Sequence, residues 1–401
     1  MARFFRRGAV AALVLALVVI AGFLVRDRTL GGRLVGEVQR LSANRSRPVH
    51  RPSSKQGTFQ ACLGPLLDTM PDGASEFSMS SSTFKEERLA IREGTRSVST
   101  MSSALSERLE QVLPWADAVR TCTEAPEVGS APGLGPFADW DHPRQRGGGL
   151  GVSSVVAASM LQVRRDLSGG SSEEALRRCS DSLALARDLV FDRGLVGSAL
   201  AVAVTRMTLQ TCATAVCAAH PDARAAFVEE LRRIRLALPP FSEVLVVERA
   251  EMQLILFGQF LADADVHRLP GDAIALAAVG RKQGGSIGKY LFWPEYVGKL
   301  DGLIEAADGP RRDEVFEAKL RCRSLIERMA DSSGSDPATL LDLARRYELV
   351  GRGFDLLEAV AQPAERALPR SVVRVELDAG VALSVGWMKD ERVQVGVCSE
   401  E

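Results

Sequence analysis

Asparagine is all but missing from this chain, with Asn44 the only one in 401 residues, and histidine and tyrosine are nearly as scarce at four and three. The basic residues are overwhelmingly arginine, and Ala, Leu, Val and Gly dominate; such usage points to a GC-rich bacterial genome rather than to an activity. A surplus of charge is missing too: 50 Lys and Arg against 51 Asp and Glu leave a net −1, which gives no electrostatic reason to expect a nucleic-acid partner. No two of the seven cysteines stand at C-x-x-C spacing and the four histidines do not fall near them in a zinc pattern, which argues against a structural metal site.

Catalytic motifs are missing as well. There is no HExxH and no Glu-x-x-His pair of the di-iron bundles. The run from Gly284 to Lys289 resembles a phosphate loop only superficially, because Gln283 stands where the first glycine belongs and Tyr290 where the magnesium-binding hydroxyl belongs. The glycine run at 147–151 follows no strand pattern, so it is no dinucleotide fingerprint. Neither a nucleotide nor any other cofactor is expected, and no metal.

What the chain does have is an N-terminal block of 18 uncharged residues, 8–25, directly behind Arg3, Arg6 and Arg7. As a helix it would be roughly 27 Å long, close to the ~30 Å hydrocarbon core of a bilayer. A cleaved signal peptide has the same basic start, and Val19-Ile20-Ala21 is a passable cleavage triplet. The apolar run continues past it through Gly22, Phe23, Leu24 and Val25, which favours a retained anchor. A lipid anchor is excluded because the first cysteine is Cys62. Arg3, Arg6, Arg7 and the terminal amine outweigh Arg26, Asp27 and Arg28, so the N-terminus is expected to stay in the cytoplasm of a bacterial inner membrane, single pass, with the large C-terminal part periplasmic or otherwise extracytoplasmic.

The expected organisation is a cytoplasmic basic end at 1–7, a transmembrane signal anchor at 8–25, a tether at 26–55, an α-helical extracytoplasmic domain at 56–369 and a β-meander at 370–401. The tether rests on the Arg, Ser, Gly and Pro content of 26–55. Beyond it, apolar residues recur at helical intervals, punctuated by Pro71-Asp72-Gly73, by Gly94, by a long glycine- and proline-rich loop at 124–151, by Pro221 and by Pro239-Pro240. Residues 195–219 are apolar on nearly every face and predict the most buried helix; Arg206, Thr208, Gln210 and Thr211 argue against a second span. Near the C-terminus the period changes to two, around Val373 to Leu377, Val381 to Trp387 and Val393 to Val397. The fold class is therefore mainly α, an irregular multi-helix bundle with a small three-stranded antiparallel meander packed on it.

In an oxidising compartment cysteines pair. Cys179 and Cys212 lie nearly equidistant from a glycine turn at Arg193-Gly194, where two antiparallel helices would bring them together, and Cys62 with Cys122 is the next candidate pair. Cys217, Cys322 and Cys398 leave an odd number, so at least one thiol is expected free or intermolecular.

Glu248 and Glu251 share a helical face at i, i+3 and, turned inward, would form a carboxylate pair with separated pKa values; Arg187-Asp188 is a possible partner pair. Asp263, Asp265 and His267 alternate and would present oxygen and imidazole ligands to a metal if the segment were extended, with a solvated helix end as the competing reading; His267 completes the weak catalytic set with Glu248 and Glu251, whose competing reading is a charged surface stripe or an internal Glu-Arg ion pair. Tyr290, Phe292, Trp293 and Tyr296 surround Pro294 and form the best candidate recognition surface, with packing onto the bundle as the competing reading.

The stretch from Leu176 to Leu189, followed by Gly194-Leu195-Val196-Gly197, resembles a pattern of membrane-anchored α-helical extracytoplasmic proteins of unknown function from GC-rich bacteria. The resemblance implies a helical extracytoplasmic domain and carries no catalytic residue with it. The expected function is noncatalytic binding or structural support in the cell envelope, with the lipid bilayer as one partner through 8–25 and an envelope protein as another. The alternative is a hydrolase with a site assembled from scattered acidic residues and histidine.

Overall fold

The computed structural model describes residues 2–42, 46–78, 81–129, 143–258, 261, 263–269, 273–274, 277–278, 297–298, 300–321, 337–361, 376–377 and 381–382. Among these the chain is mainly α. The helices are α1 (Ala2–Ser42), α2 (Phe59–Asp68), α3 (Lys85–Glu93), α4 (Ser103–Thr121), α5 (Pro143–Ser168), α6 (Ser172–Ala218), α7 (Pro221–Leu236), α8 (Phe241–Phe257), the short α9 (Asp263–Val266), α10 (Arg312–Arg321) and α11 (Pro337–Ala361).

The tether expectation is corrected at its first half. Helix α1 continues through it to Ser42. Leu34, Val35, Val38 and Leu41 recur at helical intervals, and that stripe is buried against α8 and α9 together with Val247, Ala250, Leu254 and Val266. The rest, residues 46–57, is a non-helical strap laid on the body: Arg47 N–H donates to Pro126 O at 3.4 Å, and Ser46 pairs with Glu127 in an isolated antiparallel bridge. The Arg, Ser and Pro content that resembles a linker here serves a docked segment.

Local chemistry sets most boundaries. The Thr58 hydroxyl caps α2 by accepting from Ala61 N–H, and Ser102 caps α4 by accepting from Leu105 N–H, each contributing about 1 kcal/mol. Glu87 on α3 accepts from both the backbone N–H and the hydroxyl of Ser102, at 2.7 and 2.8 Å, which ties α3 to the start of α4. Gly94 ends α3 with φ 78, at the interruption expected there. Ser171 stands at the N-cap of α6, yet its side chain makes no capping bond. The expected glycine loop at 147–151 is the first part of α5. A Cβ on Gly151 would stand 3.2 Å from Leu67 Cδ2, so close helix packing explains a glycine there.

Helix α6 organises the body. Cys179 and Cys212 are 33 residues apart yet bonded, with Cα atoms 5.6 Å apart. A straight helix would separate them by roughly 50 Å. The run therefore folds back on itself at Gly194, whose φ is 50, giving two antiparallel arms clipped together by the disulfide. Its second arm, Gly194–Ala218, is long and apolar enough by composition to cross a membrane, but 67% of its window is buried inside the protein. Helices α4, α5, α7, α8 and α11 pack around the two arms. The crossing with α11 is tight: a Cβ on Gly353 would stand 2.9 Å from Thr205 Cγ2 and 3.1 Å from Leu209 Cδ2.

Cys62 and Cys122 form a second disulfide, joining α2 to the end of α4 with Cα atoms 5.5 Å apart. Near the C-terminus Glu376–Leu377 pairs antiparallel with Val381–Ala382, in the register Glu376 to Ala382 and Leu377 to Val381. The third expected run of the meander lies outside the described residues.

Candidate functional site

The first arm of α6 places Asp181 and Asp188 seven residues apart, two turns along one face, and both are fully buried. A carboxylate in that position requires hydrogen-bonded, charged partners. The strap supplies them. Arg47, itself buried, donates to Asp188 from Nε at 2.7 Å and from Nη2 at 2.5 Å. Its remaining donors reach the carbonyls of Ala125 at 2.6 Å and Thr123 at 3.1 Å. Arg187 Nε also donates to Asp188 at 2.7 Å, and Arg187 Nη1 reaches Pro48 O at 3.3 Å. Two guanidiniums thus share one buried carboxylate.

One level along the arm, His50 Nε2 meets Asp181 Oδ1 at 2.7 Å, Arg51 Nη1 stands 3.1 Å from the same oxygen, and Arg120 of α4 donates to Oδ2. Arg51 then leaves the interior, donating to Glu230 of α7 at 2.8 and 3.0 Å and to Ser180 Oγ at 2.9 Å. Beside it Arg178 joins Asp117 of α4 and Asp166 of α5. The strap is therefore fastened to α4, α6 and α7 at once.

The electrostatics follow from these contacts. Burial works to raise the Asp181 pKa, but the His50 hydrogen bond and the nearby Arg120 and Arg51 cations outweigh it and hold the carboxyl below its ordinary value. Burial pulls the Arg187 guanidinium below its usual range, with Arg47 adding to the effect and Asp188 opposing it. Arg187 Nη2 and His50 Nδ1 are buried without a hydrogen-bond partner. The network's chemistry is that of a lock: its carboxylates are enclosed and already engaged by arginine and histidine.

The residues expected to form a catalytic set lie on α8 and just beyond α9. Glu248, partly buried on α8, faces the fold-back of α6, where its Oε2 accepts from Leu195 N–H at 3.4 Å and would stand 3.2 Å from a Cβ on Gly194. It caps the second arm, and burial pushes its carboxyl above the ordinary glutamate value against that hydrogen bond. Its neighbour Arg249 turns the other way, pairing with Glu37 of α1 and with Asp301. Arg187-Asp188 pairs with the strap rather than with Glu248. Glu251 is partly buried, and His267 is exposed just beyond α9 with its N–H bonded to Asp263 O at 3.0 Å. Among the described residues no group of three His, Cys, Asp or Glu side chains is placed to hold a metal ion. Tyr290, Phe292, Trp293 and Tyr296 lie outside the described residues.

A cleft of about 740 Å³ opens where the α7–α8 junction meets α10 and α11, lined by Phe241, Asp308, Arg312 and Tyr347 among others. Its polar groups serve the fold. Asp308 accepts from the N–H groups of Phe241 and Ser242 at 2.9 and 3.3 Å, capping α8, and the buried Tyr347 hydroxyl donates to Pro239 O at 2.7 Å. Burial, with Asp308 and Glu243 nearby, pushes the Tyr347 hydroxyl pKa up. Arg312 is paired with Asp313 at 2.9 Å and with Glu348 at 3.4 Å.

Sequence reasoning missed Arg47, His50, Arg51, Arg120 and Asp181. The available signal was Asp181 and Asp188 interrupting, two turns apart, an arm otherwise made of Leu183, Ala184, Leu185, Ala186 and Leu189. No family model, no curated protein and no solved structure matches this chain.

Proposed function

We propose that the protein is a single-pass membrane protein whose helical domain lies outside the cytoplasm and has a noncatalytic binding or structural role in the cell envelope. The observation that carries the reading is the change of character along α1. The Val, Leu and Ile residues of its first half between Val14 and Val25 stand 47–68% exposed, whereas Leu34, Val35, Val38 and Leu41 of its second half are buried at 0–1%. Bare aliphatic side chains along one half of a helix call for an apolar solvent, and the length of the 8–25 block suits a bilayer. The Cys62–Cys122 and Cys179–Cys212 disulfides fit an oxidising, extracytoplasmic compartment.

The strap network suits such a role. Helix α1 and the strap are both fixed to the body, so a load or contact on the domain is transmitted to the membrane through packed helix rather than through slack chain. The test has two parts. A phosphatase that is active only outside the cytoplasm, fused after Glu401, is expected to be active, and capture from crosslinked membranes is expected to recover one reproducible envelope partner. An inactive fusion overturns the orientation, and recovery of no reproducible partner overturns the binding role.

A further inference from the structure

Helix α1 serves as a ruler for the body packed on it. Arg249 of α8 pairs with Glu37, which lies twelve residues past Val25 and so roughly 18 Å beyond the apolar block. Leu261, after α8, meets Gly31, six residues past Val25 and roughly 9 Å beyond the block. Helix α8 therefore runs antiparallel to α1, down towards the apolar block. Gly258, nine residues after Arg249, comes back by roughly 13 Å, to a level roughly 5 Å from the block. There it packs against a second segment, because a Cβ on Gly258 would stand 2.7 Å from Ala277 Cα. The headgroup layer on each side of a bilayer occupies roughly 5–8 Å.

Among the described residues outside α1, three large apolar side chains are exposed: Val196, Leu236 and Ile274. Leu236 is at the opposite end of α8, and Val196 follows the Gly194 turn at the level of Glu248. Ile274 lies three residues before the Ala277 that packs on Gly258, with Ala273 and Ala277 buried and Ala278 exposed. On α1 itself Arg28 and Arg33 are exposed, roughly 5 and 12 Å past the block, where lipid phosphates lie within reach of long basic side chains.

We infer that the corner where α8 ends, with Ile274 and Ala278, sits in the headgroup layer of the same bilayer that α1 crosses. The occupant of this surface is phospholipid: Ile274 enters the interface and Arg28 and Arg33 meet phosphates. The domain lies flush on the membrane and presents its opposite end, with Leu236 and the α7–α8 junction, to the envelope space. This inference rests on the membrane-spanning reading of α1.

The experiment uses the full chain in phosphatidylethanolamine–phosphatidylglycerol vesicles, with a fluorescent amino acid placed singly at positions 18, 236, 274 and 278. Nitroxides on the lipid headgroup are expected to abolish emission at 274 and 278 and to leave 236 bright, while nitroxides deep in the acyl chain quench 18 alone. If 274 and 278 both respond only to an aqueous quencher, as 236 does, while 18 still responds to the deep nitroxide, the domain stands clear of the bilayer; the inference is then wrong and the span stands. A position 18 indifferent to the deep nitroxide removes the span and the inference with it.

Discussion

Replacing Asp188 with asparagine keeps the shape of the side chain and removes the one negative charge between two buried guanidiniums. Arg47 Nε and Nη2 and Arg187 Nε all point at that carboxylate, Arg47 and Arg187 are buried, and Arg187 Nη2 already lacks a partner. An asparagine still accepts a hydrogen bond through its carbonyl oxygen, but its amide places N–H against N–H, and both cations lose their counter-charge. Breaking a buried ion pair from one side costs about 3–5 kcal/mol. A whole domain is stable by only about 5–15 kcal/mol, so one substitution removes a large share of it.

The assay is urea denaturation of the full chain in detergent under non-reducing conditions, followed by tryptophan fluorescence. With a slope of about 3 kcal/mol per molar urea, the midpoint is expected to fall by about 1–1.7 M. The double variant Arg47→Met with Asp188→Leu removes charge from both sides and is expected to lose less than the two single variants summed, because the singles strand a charge and the double strands only Arg187. An Asp188→Asn chain within about 1 kcal/mol of the parent would refute the reasoning, since that is the range of a solvent-exposed pair.

Four further outcomes follow from the same structure. Cys179→Ser with Cys212→Ser releases a 33-residue loop and is expected to cost about 3–4 kcal/mol, read as a lower denaturation midpoint that reductant no longer shifts by this bond. Glu248 has a raised folded-state pKa, so its ionisation weakens the fold as pH rises through that value; Glu248→Gln, whose amide oxygen still accepts from Leu195 N–H, is expected to match or exceed the parent at pH 8, with the difference shrinking as pH falls towards the ordinary glutamate value. Asp181 works in the opposite sense: its depressed pKa gives stability that is present above the ordinary aspartate value and is lost as pH falls through the lower folded value, so Asp181→Asn is expected to flatten the acid limb of a stability–pH curve. Gly353→Val forces a side chain against Thr205 and Leu209 and is expected to cost about 1–3 kcal/mol in the same denaturation assay.

The helical elements were legible because their signals are local. The Thr58 cap, Gly94, Pro221 and Pro239-Pro240 each fix a backbone feature within a few residues, and the fold-back at Gly194 was readable from one glycine between two cysteines. What the sequence concealed depends on partners far apart. Residues 26–55 have the composition of a linker, yet Arg47 finds Asp188 across 141 positions and His50 finds Asp181 across 131. The glycine run before Val152 looked like a loop because Gly is a poor helix former, and its helical state in α5 owes more to packing than to propensity, as Gly151 against Leu67 illustrates. Glu248 was singled out for chemistry on its i, i+3 spacing with Glu251, whereas its position is explained by the open N–H groups at the start of the second arm.

The most direct test of the account is the intact mass of the chain recovered from alkali-washed membranes of a bacterial cell expressing it. The account predicts that the protein stays with the membrane and that its mass includes residues 8–25, the block that continues into the packed half of α1. A chain released by alkali, with a mass that begins at or after Gly22, contradicts it.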